Sequence, residues 1–336
     1  MSSTHLSFHH PEPLGGAGTD LAEALREALS AGAEDRASTA QALAAEAAEC
    51  LRDWMRAIGE SVSAPQLGAH FVAGLATWRA VHGWRAPCER LCVALDELLA
   101  SCSPDEMRAA LDAELNAWTT PGERMPSRRA VCAGAVALLG QGETVLAHGF
   151  SETVADACEA AQAAGRAVEV TLAEGAPDLG GQRMASRLAA AGLAVRLVHD
   201  AALLACVRDA DRVWLGAETV GAGCFVARVG ARALLEEARR QEVPSAVLAT
   251  SDKLAPEGEA RLPDWCEGEP WLLWHDAPEG VVVERQLYER VPLGLVDDWL
   301  TEVGLERPAD IFVRGLRSDP PERAVTPAAS WISTRP

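Results

Sequence analysis

The spacing of hydrophobic positions divides the chain into a helical first part and a second part with strands. Between residues 20 and 120, apolar side chains recur every three or four positions, as on the buried face of a helix. Gly32 and Gly59 end two of these stripes, and Pro65 stands at a predicted first helical turn. The segment Ser103 to Glu106 has the serine, proline and glutamate of a capping box. The pattern predicts five helices, over 21–32, 43–58, 65–78, 91–99 and 104–118.

After "TTPGERMP" (119–126), short apolar runs alternate with helical stripes. Alternation of this kind predicts an α/β protein with a mostly parallel sheet and right-handed crossovers. We therefore expect an N-terminal helical lobe followed by a Rossmann-like, mostly parallel sheet with helices on both faces. The predicted strands are 144–148, 167–173, 194–198, 212–216 and 245–250, and the predicted helices are 151–164, 181–191, 200–208 and 229–241.

The domain boundaries follow from where these patterns begin and end. Residues 1–18 have no apolar periodicity, which indicates a disordered tail. A helical N-terminal domain is expected over 19–120, a Rossmann-like α/β domain over 127–320 and a second tail over 321–336.

Composition and charge exclude several classes of partner. No apolar run reaches the roughly 18 to 20 residues that span a bilayer, and the N-terminus lacks the order of a secretory signal, so we expect a cytoplasmic protein. A net charge of −19 argues against binding to nucleic acid or to an anionic membrane. The nine cysteines are an odd number without a CxxC pair, which favours free thiols over disulfides or a metal site.

Ligands of parallel sheets bind beyond the carboxyl ends of the strands, and three loops there look suited to an anion. These are "HGFSET" (148–153), "EGAPDLGGQR" (174–183) and "VGAGCFVARVG" (220–230), which place hydroxyls, glycines and an arginine before predicted helices. A phosphorylated small molecule matches this arrangement. The glycines could equally do no more than turn the chain and end helices. No GxGxxG or GxxxxGK[ST] motif is present, so neither a dinucleotide nor another cofactor is expected.

Carboxylates also follow the predicted strands, at Glu174, Asp200 and Glu218. A buried charge is costly unless it is paired or used, so each of these side chains is a candidate for function. Each could instead cap the next helix, and for Asp200 we favour that interpretation. Glu218 lies in the glycine-rich elbow, the turn that follows the predicted strand 212–216, and a capping role explains this position less well.

From about residue 130 to 304, the chain resembles the initiation factor 2B alpha/beta/delta family. That family also contains methylthioribose-1-phosphate isomerase and ribose-1,5-bisphosphate isomerase. The helical lobe fits as well, since "EDRASTAQALAAEAAECL" is similar to an early helix of the family with a phosphate-binding arginine, here Arg36. The matching segments, in the family's order, are "VLAHGFSETV", "EGAPDLGGQRMA", "VRLVHDAAL", "DRVWLGAETV", "VARVGARALLEEAR", "ATSDKL" and "YERVPLGLVDDWLTEVG".

The resemblance implies an isomerase chemistry that this chain does not carry unchanged. The isomerases pair a cysteine after the first-motif histidine with an aspartate in a "GAD" elbow, and here those positions hold Gly149 and Glu218. Glycine cannot titrate, and a misplacement of about 1 Å, as by one methylene, can cost on the order of a hundredfold in rate. The isomerases' "ESRP" is "EGAP" here, and their Asn-Lys pair is Ala227-Arg228. These departures resemble the alpha subunit, which has a "GAE" elbow and lacks the cysteine.

Three hypotheses remain open. The first is a non-catalytic homodimer with a regulatory role that holds a sugar phosphate or nucleoside monophosphate. The second is a divergent isomerase that uses Glu218 with His148 as a substitute base. The third is an interaction protein without a ligand, in which Trp265, Trp271 and Trp274 form either a docking surface or a folded cluster. The ligand-binding residues expected are Arg36, Gly149, Ser151, Glu174, Gly181, Arg228 and Lys253.

Overall fold

The computed structural model of the chain describes residues 39–120, 122–124, 126–256, 258–262, 273–284 and 286–317. The chain divides into two compact units between residues 125 and 126. The predicted helix over 21–32 and both predicted tails lie outside the described residues.

The first unit consists of helices whose ends follow from local chemistry. The Thr39 hydroxyl accepts the Ala42 amide at 3.3 Å where the first helix begins, and Gly59, at φ 53°, ends that helix. Before the second helix, the Gln66 side chain accepts the Ser63 amide at 3.1 Å. Four predicted helices are confirmed, as α1 (Ala40–Ile58), α2 (Ala64–His82), α3 (Ala86–Ser101) and α4 (Met107–Thr119).

The helix α4 begins later than its capping box predicts. The Ser103 hydroxyl donates to the Glu106 carboxylate at 2.6 Å instead of accepting a backbone amide. The Ser103 carbonyl accepts the amides of both Glu106 and Met107 at 3.1 Å, which closes a turn over 103–106 before the helix. The start predicted at residue 104 is therefore wrong by three residues.

The second unit contains a seven-stranded sheet, in the order β10-β9-β7-β4-β1-β2-β3, and all neighbours except β9 and β10 are parallel. Its strands are β1 (Thr144–Ala147), β2 (Glu169–Ala173), β3 (Ala194–Val198), β4 (Arg212–Leu215), β7 (Ser245–Leu248), β9 (Asp298–Thr301) and β10 (Gly304–Glu306). Its helices are α5 (Arg129–Leu138), α6 (Glu152–Ala163), α7 (Gly180–Ala190), α8 (Ala231–Arg240) and α9 (Pro308–Arg317).

Alternate residues of the central strands enter two different cores, one on each face of the sheet. In β1, Leu146 joins the core that contains Leu234 of α8, while Val145 joins the core that contains Val154 of α6 and Met184 of α7. This alternation is the period-two geometry of a strand that is covered on both sides. The predicted fold class, a helical lobe and a mostly parallel sheet with helices on both faces, is confirmed.

A second, antiparallel sheet of three strands replaces part of the predicted glycine-rich elbow. It consists of β5 (Thr219–Val220), β6 (Cys224–Arg228) and β8 (Tyr288–Pro292), with β6 in the middle. The prediction of an anion-binding loop over 220–230 is therefore wrong in part, because amides of β6 pair with β5 and β8. The helix predicted over 200–208 is present as the 3₁₀ helix Asp200–Asp209.

The strand order decides where a ligand site can form. The chain continues from β1 to β2 and β3 on one side and returns to β4 on the other side of β1. The loops after β1 and β4 therefore diverge, and crevices form at such a point beyond the carboxyl ends. Within the described residues, no helix combines the length and apolar character needed to cross a bilayer.

Candidate functional site

A pocket of about 100 Å³ lies beyond the carboxyl ends of the parallel strands. It brings together the loops that follow β1, β2, β3 and β6 with the segment before β8. Of the residues expected to bind a ligand or to act in catalysis, His148, Gly149 and Arg228 line it. Its lining consists of His148, Gly149, Gly175, Ala176, Asp178, Gly180, Asp200, Arg228, Val229, Gln286 and Leu287.

Gly149, directly after His148 at the end of β1, is closely packed against Arg228. Its backbone has φ 75°, in the left-handed region that favours glycine. A Cβ atom built on Gly149 would lie 2.7 Å from Cγ of Arg228. The aliphatic part of the arginine side chain therefore occupies the space that a side chain at position 149 would need.

His148 is held by a backbone contact. Its Nε2 lies 2.7 Å from the Val229 carbonyl oxygen, and because that oxygen can only accept, Nε2 carries the proton. The other ring nitrogen, Nδ1, is buried, and no hydrogen bond to it is formed within the described part of the chain. The nitrogen with the free electron pair thus faces the protein interior, which is a poor position for a base that acts on a ligand.

Arg228 ends β6 and carries the positive charge of the pocket. Its guanidinium forms an ion pair with Asp178 and lies 4.5 Å from the centre of the Tyr288 ring. Burial alone lowers the pKa of Arg228, but the electrostatic effects of Tyr288, Asp178 and Glu218 outweigh burial and raise the pKa above its ordinary value. The arginine therefore keeps its charge although most of its side chain is buried.

Glu218 lies in the turn between β4 and β5, and its amide donates to the Val226 carbonyl at 2.9 Å. Its carboxylate is one of the charges that act on Arg228, which brings the two residues of the predicted elbow together. Glu218 does not contribute to the pocket lining.

The capping role that we favour for Asp200 from the sequence is not the one the structure shows. Its two carboxylate oxygens accept the amides of Gly175 and Ala176, both at 2.8 Å. The capping interpretation is therefore wrong, since the carboxylate fastens the loop after β2 to the start of the Asp200–Asp209 segment. One of the loops predicted to bind an anion already holds a carboxylate of the chain.

The start of α8 is filled in a similar way. Glu289, on β8, accepts the amides of Gly230 and Arg232 at 2.8 and 3.0 Å. A carboxylate at a helix N-terminus is stabilised by the donor groups and the dipole there. This helix start, which the sequence suggested for a phosphate, is occupied by a side chain from a distant strand.

Two further predicted residues have clear structural tasks. Ser151 caps α6, since its hydroxyl accepts the Val154 amide at 3.3 Å. Gly181 lies where α7 meets the end of β2, and a Cβ atom there would lie 1.6 Å from the Ala173 carbonyl oxygen. Neither residue lines the pocket.

Three other expected residues lie outside the pocket or outside the described chain. Glu174 follows β2, and Lys253 is buried in the 3₁₀ turn Ser251–Lys253 after β7, but neither lines the pocket. Arg36 lies outside the described residues, as do Trp265 and Trp271 of the tryptophan cluster, whereas Trp274 is described and 51% exposed.

Sequence reasoning missed the partners that shape the site. Asp178, Tyr288 and Glu289 each contact Arg228 or the loop after it, from positions 50 or more residues away in sequence. Asp178 lies in the predicted loop 174–183, but no local pattern in the sequence connects it to Arg228. Among the described residues, no group of three or more histidine, cysteine, aspartate or glutamate side chains is arranged to hold a metal ion.

Comparison with known proteins places this site in context. The ribose 1,5-bisphosphate isomerase of Methanocaldococcus jannaschii is 28% identical over 171 residues, which are 50% of this chain and 56% of that protein. The enzyme of the same name from Archaeoglobus fulgidus is 27% identical over 176 residues, 51% of this chain and 56% of its own. The chain thus spans little more than half the length of the curated relatives it matches.

Solved structures agree on the fold over a longer part of the chain. The translation initiation factor eIF-2B of Pyrococcus horikoshii has a TM-score of 0.69 at 20% identity, over 86% of this chain and 98% of that chain. The 5-methylthioribose 1-phosphate isomerase of the same organism has a TM-score of 0.69 at 17% identity, over 87% and 86%. Residues 89–308, more than half of the chain, match the Initiation factor 2 subunit family, IF-2B. The chain therefore belongs to the initiation factor 2 subunit family.

Proposed function

We propose that this protein is a non-catalytic member of its family that binds a phosphorylated small molecule, a sugar phosphate or a nucleoside monophosphate. We further propose that it does so as a homodimer with a regulatory role. The observation that carries the proposal is the contact of Gly149 with Arg228. At the position where the resemblance implies a catalytic thiol, a Cβ atom would lie 2.7 Å from an arginine carbon.

That contact argues against isomerase chemistry on two grounds. Glycine supplies no group that can take or give a proton, and a side chain at this position would require the neighbouring arginine to move. The remaining candidate base, His148, uses Nε2 to donate to the Val229 carbonyl and has its Nδ1 buried. A ligand in this pocket would therefore meet groups that bind it, without the acid and base pair that the reaction requires.

Arg228 supports the choice of a phosphorylated ligand. Its guanidinium matches the planar, two-point contact that phosphate oxygens make with arginine. The pocket volume of about 100 Å³ is below the roughly 300 to 1,000 Å³ of pockets that enclose a drug-sized ligand, so it suits a phosphoryl group better than a whole sugar bisphosphate. The remainder of the ligand would extend out of the pocket.

Thermal unfolding against a panel of sugar phosphates and nucleoside monophosphates tests this proposal. A ligand at a hundred times its dissociation constant should stabilise the protein by about 2.7 kcal/mol. Arg228→Gln should abolish the shift, while Arg208→Gln, at an exposed arginine outside the pocket, should leave it unchanged. Sedimentation equilibrium measures the homodimer separately. A dimer that none of these compounds stabilises would instead favour an interaction protein without a ligand.

A divergent isomerase is the second candidate, because Glu218 acts electrostatically on Arg228 and so lies near the pocket. Its test is to incubate the protein with ribose 1,5-bisphosphate and methylthioribose 1-phosphate and to follow ketose formation by NMR. Turnover that Glu218→Gln abolishes would replace the binding-protein proposal with the isomerase. Turnover that survives this substitution would point to a contaminating enzyme.

A further inference from the structure

Around the pocket, each of three groups of hydrogen-bond donors is bound by a carboxylate of the chain. Such donors would otherwise be available to an anionic ligand. The three pairs are the amides of Gly175 and Ala176 with Asp200, the amides of Gly230 and Arg232 with Glu289, and the guanidinium of Arg228 with Asp178.

Two of these carboxylates are parts of the framework. Asp200 and Glu289 each bridge two backbone amides, at distances of 2.8 to 3.0 Å. Displacing either would leave two amides to be satisfied anew and would release a loop or a helix start. These carboxylates are therefore expected to remain in place when a ligand binds.

The contact of Asp178 with Arg228 differs, because it joins one side chain to another. Within the described residues, Arg228 is the one hydrogen-bond partner of the Asp178 carboxylate, whose side chain is 17% exposed. Arg228 has two other supports, the Tyr288 ring at 4.5 Å and the packing of its Cγ against Gly149. If the ion pair opens, Asp178 can turn towards solvent while Arg228 keeps its place.

We propose that Asp178 is an internal competitor for Arg228 that makes the pocket selective for phosphoryl groups over carboxylates. The inference rests on the proposed function, since it concerns the same pocket and the same arginine. A phosphomonoester carries about −1.5 to −2 charges at pH 7 and three acceptor oxygens, so it can displace Asp178 and take both arms of the guanidinium. A ligand carboxylate carries a single negative charge, as Asp178 does, so it competes with Asp178 for the guanidinium without an advantage in charge.

Calorimetric titration of the full chain with two probes of similar size tests this role. The probes are ribose 5-phosphate and gluconate, one a phosphate and the other a carboxylate. The variants are Asp178→Asn, which removes the competing charge, and Arg228→Gln, which removes the binding group. Glu143→Gln is the matched control: Glu143 pairs with Arg212 at 2.7 Å and similar burial, at the amino end of β1 and outside the pocket.

We expect Asp178→Asn to bind ribose 5-phosphate on the order of tenfold more tightly than the wild type does. The affinity for gluconate should rise by a larger factor, so that the ratio of the two affinities, which measures the preference for phosphate, becomes smaller. The control should keep the wild-type affinities for both probes. An unchanged or weaker affinity in Asp178→Asn, while Arg228→Gln abolishes binding, would overturn the competitor role and leave the proposed function intact. Absence of binding to either probe in the wild type and in Asp178→Asn would overturn both. Near-UV circular dichroism is the check that each variant is folded.

Discussion

The Cγ atom of Arg228 lies where the first side-chain atom of residue 149 would stand, 2.7 Å from a Cβ built on Gly149. Because Gly149 also has φ 75°, two independent features restrict this position to glycine. The glycine at the position where the resemblance implies a cysteine therefore allows Arg228 to lie over it.

Gly149→Ala should destabilise the protein by about 3 kcal/mol, since a left-handed conformation and overpacking each cost about 1 to 2 kcal/mol. Gly165→Ala is the matched control, because Gly165 has φ 77° with nothing within 4 Å of its would-be Cβ. The control should lose only the conformational part, about 1 kcal/mol. Urea unfolding measures both. Equal losses in the two variants would contradict the steric role of Arg228.

The steric part can be isolated by removing the arginine side chain as well. In the double variant Gly149→Ala with Arg228→Ala, the clash is absent. Its loss of stability should therefore be smaller than the sum of the losses in the two single variants. We expect a coupling energy of about 1 kcal/mol or more, within the range seen for residues in contact. Additive losses would mean that the backbone conformation alone restricts position 149.

Adjacent glycines at the start of α7 should respond very differently to alanine. A Cβ on Gly181 would lie 1.6 Å from the Ala173 carbonyl oxygen, whereas on Gly180 it would meet Phe150 atoms at 3.4 to 3.5 Å. Gly181→Ala must separate α7 from β2, so we expect a loss above about 3 kcal/mol or failure to fold. Gly180→Ala should change the stability by less than about 1 kcal/mol. Similar unfolding midpoints for both would show that the helix start moves freely.

The sequence predicts those elements of this fold that are encoded locally. The apolar run at 194–198 coincides with β3, and the glycines at 165 and 192 correctly end the regions of α6 and α7. Strand β6 was missed because glycines 221 and 223 resemble a loop, and because its partner β8 lies about sixty residues later. Helix α5 was missed because alanine and glycine make up half of its ten residues, so few large apolar side chains mark its buried face.

The candidate site was predictable only in part for the same reason. Position and order along the chain identify Glu218, which follows the predicted strand 212–216, and Arg228, which precedes the predicted helix 229–241. The neutralisation of Arg228 by Asp178, 50 residues earlier, depends on how two loops meet beyond the sheet. Local patterns describe which charges exist, whereas tertiary packing decides which charges remain available to a ligand.

Glu289 should stabilise α8 by capping its first turn from a neighbouring strand. Its carboxylate accepts the amides of Gly230 and Arg232, so Glu289→Ala leaves both amides without this partner. We expect a loss of about 1 to 2 kcal/mol, as for removal of a helix cap, and faster hydrogen exchange in α8. Glu236→Ala, which removes an exposed partner of Arg232 in the same helix, should cost less than about 0.5 kcal/mol. Equal exchange rates in the two variants would argue against the capping role.

The alkaline limit of stability should depend on the buried thiol of Cys158. Burial raises the pKa of Cys158 to about 12, from 9.0 in an unperturbed cysteine. Because the folded pKa lies above the unfolded one, this stabilisation is complete below pH 9 and is lost as the pH rises from 9 towards 12.

The chain has one lysine and one tyrosine, so few other groups except cysteines titrate in that interval. Cys158→Ala should be about 1 kcal/mol less stable than the wild type at pH 8, because it opens a small cavity. At pH 10.5, the wild type should have lost roughly 2 kcal/mol that the variant does not lose, so the order of stability reverses. Urea unfolding at the two pH values measures this crossing. Parallel pH dependences of the two proteins would mean that the Cys158 thiol ionises in the folded state as readily as in the unfolded chain.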